Sequence, residues 1–317
     1  MKKLLIALLA CLPVLAAAQA WPTKTVKVIV PYPPGGAVDL VTRRVAQKLQ
    51  EQTGQPFVVE NKPGATGTIG VLQAARSPAD GYTLVANDMT YSLLPHVFKE
   101  LPFNHEQDLV AVTSTMYTPY AIAVRADGPY KNLQDLIAAA KAKPRSITFG
   151  SGGNGTAPHF AAEQFMLSTK TELMHVPYKG ASEAMTGLIG GQVDLLLASP
   201  ASLLAQAKSG RARILAISGD KRQPALPDVP TFAEAGVPNF SIVNFNGLWA
   251  PKGTPPAVIA RIQAEIAKAV QSADVKAFFE SQVGVPGGVP TEEFARQVQE
   301  TTRRWGQVAA TAKVEKQ

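Results

Sequence analysis

Two stretches of this chain are built to one plan. VIVPYPPGGAVDLVTRRVAQKL (28–49) and ITFGSGGNGTAPHFAAEQF (147–165) each begin β-rich, break at glycines and small residues, and continue with helical spacing. A strand that feeds a helix through a tight turn is the unit of α/β architecture, so using it twice narrows the fold sharply. Other β-branched runs agree: VKVIV (26–30), FVVE (57–60), TLVAN (83–87), AIAV (121–124), MHVPY (174–178), VDLLLA (193–198) and RILAIS (213–218). Between them, Val38, Val41, Val45 and Leu49 share one helical face, as do Leu133, Leu136, Ile137 and Ala140. The pattern predicts an α/β protein with mainly parallel sheets. Further helices are expected over 258–270, 274–282 and 291–308, the last opened by a capping Thr291 and the acidic Glu292 and Glu293.

The glycine-rich turns suggest chemistry as well as shape. A loop of small residues opening a helix leaves backbone N–H groups unpaired at the positive end of the helix dipole, where an anion can accept from them. In the second turn, Ser151, Asn154 and Thr156 add side-chain donors. In the first, Pro33 and Pro34 stiffen the approach, Gly35 and Gly36 open the turn, and Tyr32 walls it. Asp39 falls in the first turn of the following helix, where satisfying its amides competes with touching a ligand. Two such turns facing each other suit a small molecule with a carboxylate at each end.

Other uses of these glycines fit less well. Gly150, Gly152 and Gly155 match G-x-G-x-x-G, but the next strand ends at Tyr178 and Lys179 rather than at the acid a dinucleotide site requires. Ser151 lacks the G-x-S-x-G frame because Phe149 takes the first glycine position. No Walker lysine is present. His96, His105, His159 and His175 show no ligand spacing, and the acids show no catalytic pairing. No cofactor, no metal and no enzymatic activity are therefore expected.

The first twenty residues read as a secretory signal: Lys2 and Lys3, an apolar Leu4–Leu15 run, and Ala18-Gln19-Ala20 as the cleavage site, cut after Ala20. Cys11, the only cysteine, leaves with it, which rules out disulfides and thiolate chemistry in the mature chain. The formal charge of +7 falls to +5 without Lys2 and Lys3, and basic residues are not interleaved with aromatics, so no nucleic-acid surface is expected. The domain signals are two segments, 120–136, a strand followed by turn residues and a new helix, and 245–258, a strand closed by a Pro/Gly cluster. If both cross between lobes, residues 21–122 plus 248–317 form one lobe and 123–247 the other, with a cleft at the hinge.

Taken together, PYPPGGAVD (31–39), ENKPGATGTIG (60–70), FGSGGNGTAPHF (149–160), HVPYKGASEAM (175–185), LIGGQVDLLLAS (188–199), LPDVPTFAEAGVP (226–238) and WAPKGTPPAVI (249–259) resemble the Bug receptors. These are the extracytoplasmic solute-binding proteins of the tripartite tricarboxylate transporter family, and the resemblance runs in order along the whole mature chain. It implies a type II periplasmic-binding-protein (Venus flytrap) fold and a periplasmic, monomeric receptor. Its ligand would be a dicarboxylate, tricarboxylate, acidic amino acid or aromatic acid, passed by cleft closure to membrane permease subunits. The alternatives are a ligand sensor for a signalling partner, or an exported serine hydrolase using Ser151.

Carried over by position, the implied ligand contacts in one lobe are Tyr32, Pro34, Gly35 and Gly36, with Ala86, Asn87, Asp88 and Thr90. In the other they are Ser151, Gly152, Asn154, Gly155 and Thr156, then Tyr178, Gly180 and Ala181. Asp194 either faces the cleft or caps nearby backbone, and Phe245 and Asn246 would close the cleft at the return crossing. The stretch 86–92 departs from the family's Ser/Thr-rich run followed by histidine, reading Ala-Asn-Asp-Met-Thr-Tyr-Ser. Asp88 there would favour a ligand carrying an amine.

Overall fold

The computed structural model describes residues 21–317, so the expected leader lies outside the described residues. The strands are β1 (Val26–Val30), β2 (Phe57–Asn61), β3 (Thr83–Asp88), β4 (Leu109–Pro119), β5 (Ala121–Arg125), β6 (Thr148–Ser151), β7 (Met174–Pro177), β8 (Leu195–Ala198), β9 (Ala212–Ile217), β10 (Val243–Pro251) and β11 (Val285–Pro286). The helices are α1 (Ala37–Thr53), α2 (Thr68–Ala75), α3 (Thr90–Val97), α4 (Leu133–Ala142), α5 (Ala157–Thr169), α6 (Ala181–Ile189), α7 (Pro200–Lys208), α8 (Pro256–Gln271), α9 (Ala273–Ser281) and α10 (Thr291–Thr311). None of them is long and apolar enough to cross a membrane.

Two sheets share these strands, in the orders β11–β4–β10–β3–β1–β2 and β7–β6–β8–β5–β9. β1 pairs in parallel with β2 and β3, and β6 with β7 and β8. The remaining pairings, through β4, β5, β10 and β11, are antiparallel. The expectation of mainly parallel sheets therefore holds only for the strand–turn–helix units; the segments linking the sheets reverse direction. Parallel pairing has one consequence for function: the glycine-rich turns leave their sheets at the same edge as the neighbouring strands' carboxyl ends.

Amphipathic helices cover the sheets as their spacing requires. α1 buries Val38, Val41, Val45 and Leu49 and stops at Gly54, which takes the left-handed conformation. α4 starts with a capping box between Asn132 and Asp135. α10 starts differently from expectation. Pro290 is its N-cap, and the Thr291 hydroxyl donates instead to Val112 O at 2.8 Å, tying the helix to β4.

The sheets are joined at two places. The chain leaves the first at Pro119 and enters the second at Ala121, with Tyr120 alone between them, and it rejoins the first at Val243. Sheet membership thus changes slightly before the sequence-based boundaries at 122/123 and 247/248. β4 and β10 pair from Pro119/Val243 to Leu109/Pro251. Ser218 bolts the junction: its N–H donates to Tyr120 O (2.7 Å), its hydroxyl donates to Ile242 O (2.6 Å), and that hydroxyl accepts from Tyr120 N–H (2.8 Å). A third contact is apolar, where Trp305 of α10 meets Phe160 of α5 edge-on, with ring centroids 5.9 Å apart.

Ser218 is fully buried, so Ser218→Ala strands the Tyr120 amide and the Ile242 carbonyl away from water. The expected loss is about 1–3 kcal/mol, read as a lower urea midpoint at unchanged slope.

Candidate ligand-binding cleft

A cavity opens where the two sheets turn their strand ends toward each other, bordering about 600 Å³ of empty space with its solvent mouth included. Tyr32, Gly36, Asp88 and Thr90 line it from the first sheet, and Gly152, Thr156, Gly180 and Ala181 from the second. The helices α1, α5, α6 and α7 start at this cavity, and none of the four has a side-chain cap on its N-terminus. The positive ends of four helix dipoles thus converge on one space, and only the start of α5 is met there by a side chain, Thr90 Oγ1.

The first turn is held from beneath by Asp39. Its carboxylate accepts from Gly35 N–H (3.0 Å), Arg43 Nε (3.0 Å) and Asn61 Nδ2 (2.9 Å), and Asn61 also donates to Tyr32 O (3.0 Å). Burial opposes the Asp39 charge, but the bonds from Arg43, Gly35 and Asn61 outweigh it and hold the pKa below the usual carboxylate value. Asp39 also lines the cavity, although its charge is already satisfied by this clamp.

The second turn rests on a stack of rings. Phe149, His175 and His159 lie nearly parallel, with centroids 4.7 Å and 4.2 Å apart in succession. His159 Nδ1 accepts from Gly155 N–H at 3.1 Å, and Ser151 Oγ sits 2.6 Å from His175 Nε2. Burial, with a smaller contribution from His159, pushes the His175 pKa down to about 3, so its ring is neutral. Ser151 is 1% exposed and is not in the cavity lining. No carboxylate orients His175 among the described residues, so the Ser–His contact lacks the third member of a nucleophilic triad.

The two sides meet directly. Thr66 Oγ1 donates to Asn154 O (2.8 Å), Ser182 Oγ to Pro34 O (3.2 Å), and Ala157 N–H to Thr90 Oγ1 (3.0 Å). These three bonds join the two sides of the cleft. Gly155 makes the approach possible: it has φ +76°, and a Cβ there would lie 2.4 Å from Val97 Cγ1.

The remaining expected contacts lie elsewhere. Pro34 and Gly35 lie at the rim, where Pro34 O accepts from Ser182 and Gly35 borders an outer groove beside α6. Ala86 and Asn87 lie behind the lining, and Asn87 Oδ1 accepts from Tyr32 OH at 2.7 Å. Asn154 and Gly155 spend their backbone on the opposing side and on His159. Tyr178 packs beneath Gly187 and donates to Gln192 Oε1 at 3.3 Å. Asp194 precedes β8, at the strand end away from the cavity, and accepts from Thr148 N–H and Oγ1, both at 2.8 Å, so it caps backbone. Phe245 packs into an aromatic cluster with Trp249 and Phe294, and Asn246 is buried deeper in the sheet.

Residues not singled out from the sequence take their places: Tyr120, Pro158, Ser199, Ser202 and Asn244. Two of them carried a usable signal. Ala198-Ser199-Pro200 repeats the strand-then-helix plan without glycine, and Asn244 precedes Asn246 by one strand period. Among the described residues, no Lys, Arg or His side chain lines the cavity. Asp88 does, and burial raises its pKa above the usual carboxylate value, against the bonds it accepts from Thr90, Asn244 and Tyr32.

Two outcomes are expected. Gly155→Ala should weaken ligand affinity about tenfold or more, by strain and by the clash that keeps the sides apart, roughly 1.4 kcal/mol per decade. Adding Val97→Ala should recover part of the loss in calorimetric titrations. Asp39→Ala should cost about 1–3 kcal/mol at neutral pH. Because the folded pKa of Asp39 is depressed, its contribution is present above the unfolded value of about 3.9 and is lost as pH falls through the folded value. The stability gap between variant and wild type should therefore close in acid, as measured by thermal melts across pH.

Comparison with known proteins agrees with this geometry. Residues 41–313 match the model of the tripartite tricarboxylate transporter family receptor. Protein BugT of Bordetella pertussis is 34% identical over 297 residues, covering 92% of this chain and 90% of its own. The solved structure of the periplasmic binding protein BugD superposes with TM-score 0.88 at 30% identity, over 94% of this chain and all of that one. Rpa4515 of R. palustris, solved with adipate, gives TM-score 0.90 at 31% identity, again over 94% of this chain and all of its own. The fold is thus matched along nearly the full length, and the chain belongs to the tripartite tricarboxylate transporter receptor family.

Proposed function

We propose that the protein is a periplasmic receptor that captures a small carboxylate between its two lobes and presents it, closed, to the membrane components of a transporter. The observation that carries this reading is the convergence of four helix N-termini on a cavity that, among the described residues, has no cationic side chain in its lining. Backbone amides and dipoles are what such a cavity offers an anion, with each helix start worth about 0.3–1 kcal/mol. The adipate in Rpa4515 supports the same class of ligand. The lobes in this reading are residues 21–122 with 248–317, and 123–247. A ligand touching both favours the closed form by its difference in affinity for the two states, and that difference is the driving force for closure. Residues 1–20 act as the export signal.

The Ser151–His175 contact favours a second reading, an exported hydrolase. Burial of the hydroxyl, its absence from the lining and the missing third residue all weigh against it.

A thermal-shift screen on protein unfolded and refolded to strip bound ligand tests both. A carboxylate at 100 times its Kd should stabilise by about 2.7 kcal/mol and shrink the radius of gyration in small-angle scattering. No shift with any carboxylate, together with labelling of Ser151 by a fluorophosphonate, would overturn the receptor reading in favour of the hydrolase.

A further inference from the structure

The cavity holds one carboxylate that no cation answers. Of the two acids in its lining, Asp39 is paired with Arg43 Nη2 at 3.0 Å. Asp88 is not: among the described residues no Lys, Arg or His nitrogen forms an ion pair with it. Its Oδ1 accepts from the neutral Thr90 N–H at 2.9 Å, and Tyr32 OH, whose proton goes to Asn87 Oδ1 at 2.7 Å, lies 3.5 Å away. The side chain is half-buried and lines the cavity, and burial raises its pKa above the usual carboxylate value.

Two aromatic residues stand beside it. Tyr32 and Tyr120 both line the cavity, and both phenols are raised in pKa by burial first and by the Asp88 charge second. A carboxylate that shares a cavity with tyrosines, and with no cationic side chain among the described residues, suits a ligand's cation. From the second sheet the same cavity receives the uncapped starts of α5, α6 and α7, which suit an anion. The cavity therefore has two chemically opposite sides. A dicarboxylate spanning it would bring a second negative charge toward Asp88 with no cation to offset the repulsion.

Building on the receptor reading above, we propose that the preferred ligand is a zwitterion: a small carboxylate bearing a cationic nitrogen. Its carboxylate rests on the helix starts of the second sheet, and its nitrogen faces Asp88 between Tyr32 and Tyr120. Asp88 then sets the selectivity among carboxylates, and the helix starts set the requirement for a carboxylate at all.

The test is calorimetric titration of stripped, refolded protein with matched pairs: ω-amino acids, neutral α-amino acids and betaines, each against the carboxylate or dicarboxylate of equal length that lacks the nitrogen. The cationic member of at least one pair should bind tenfold or more tightly. Asp88→Asn should weaken that ligand at least tenfold while leaving or improving the dicarboxylates. Wild-type protein supplies an independent reading should the variant misfold: zwitterion affinity should fall as pH drops toward the usual carboxylate range and Asp88 takes up its proton. Tighter binding of dicarboxylates, improving in acid, would overturn the proposal by showing Asp88 to be a neutral donor. So would a preference that Asp88→Asn leaves unchanged. Binding only to carboxylates without nitrogen sinks this inference but keeps the receptor function, whereas no carboxylate binding at all sinks both.

Discussion

The first amides of a helix have no partner within it, and what meets them decides what a helix start is for. α4 meets them with its own capping box, and the matter ends there. α1, α5, α6 and α7 carry no side-chain cap and point their starts at a common cavity. Parallel pairing makes this possible, because strands running the same way deliver their following turns to the same sheet edge. The cleft is thus a consequence of strand direction before it is a matter of side chains.

Keeping those amides free needs support from below, and the two sheets solve the problem differently. Under the first turn the support is ionic: Asp39 gathers Gly35, Arg43 and Asn61. Under the second it is a neutral stack in which His159 accepts from Gly155 and His175 faces Ser151. Behind the first lies a small internal cavity bordered by Asn87 and Asn246, where Asn87 Nδ2 and both polar atoms of Asn246 have no protein partner. Buried amides of that kind are normally satisfied by an ordered water. Asn87 uses its remaining oxygen to fix Tyr32, so this polar layer reaches the cleft wall directly.

Much of this was legible in the chain because it is local. VKVIV, TLVAN and AIAV announce strands by β-branching, and PYPPGG and SGGNG announce their turns by glycine and proline. β4 was not legible. LVAVTSTMYTP places Thr113, Ser114, Thr115 and Thr118 in buried positions, and nothing nearby in sequence shows that Val289 O and Ser199 Oγ take up two of those hydroxyls. Yet β4 is the strand that leads from one sheet to the other. Site residues divide the same way. Expected residues on glycine turns, such as Gly36, Gly152 and Thr156, line the cavity. Tyr120, Ser199 and Asn244 depend on long-range pairing and were not expected. Asp194 shows the opposite error: it is near the right strand, but at the end that faces away.

Tyr120 draws these strands of reasoning together. It is the single residue between β4 and β5, and its N–H and C=O are both held by Ser218, which also holds Ile242 just before the returning β10. The same residue lines the cavity and lies within reach of the Asp88 charge. In the proposed receptor, a ligand that engages Asp88 and Tyr120 would act on the junction between the lobes, not only on surfaces remote from it. Interactions at a junction need little displacement to differ between open and closed states, and a difference between states is the only thing a ligand can use to shift them. The Trp305–Phe160 contact adds an apolar brace between α10 and α5, and an opening motion must either preserve it as a pivot or break it. In the proposed receptor, the hydrogen-bonded junction and the packed brace would stabilise a closed form from outside the cavity and leave the ligand to supply the remaining bias.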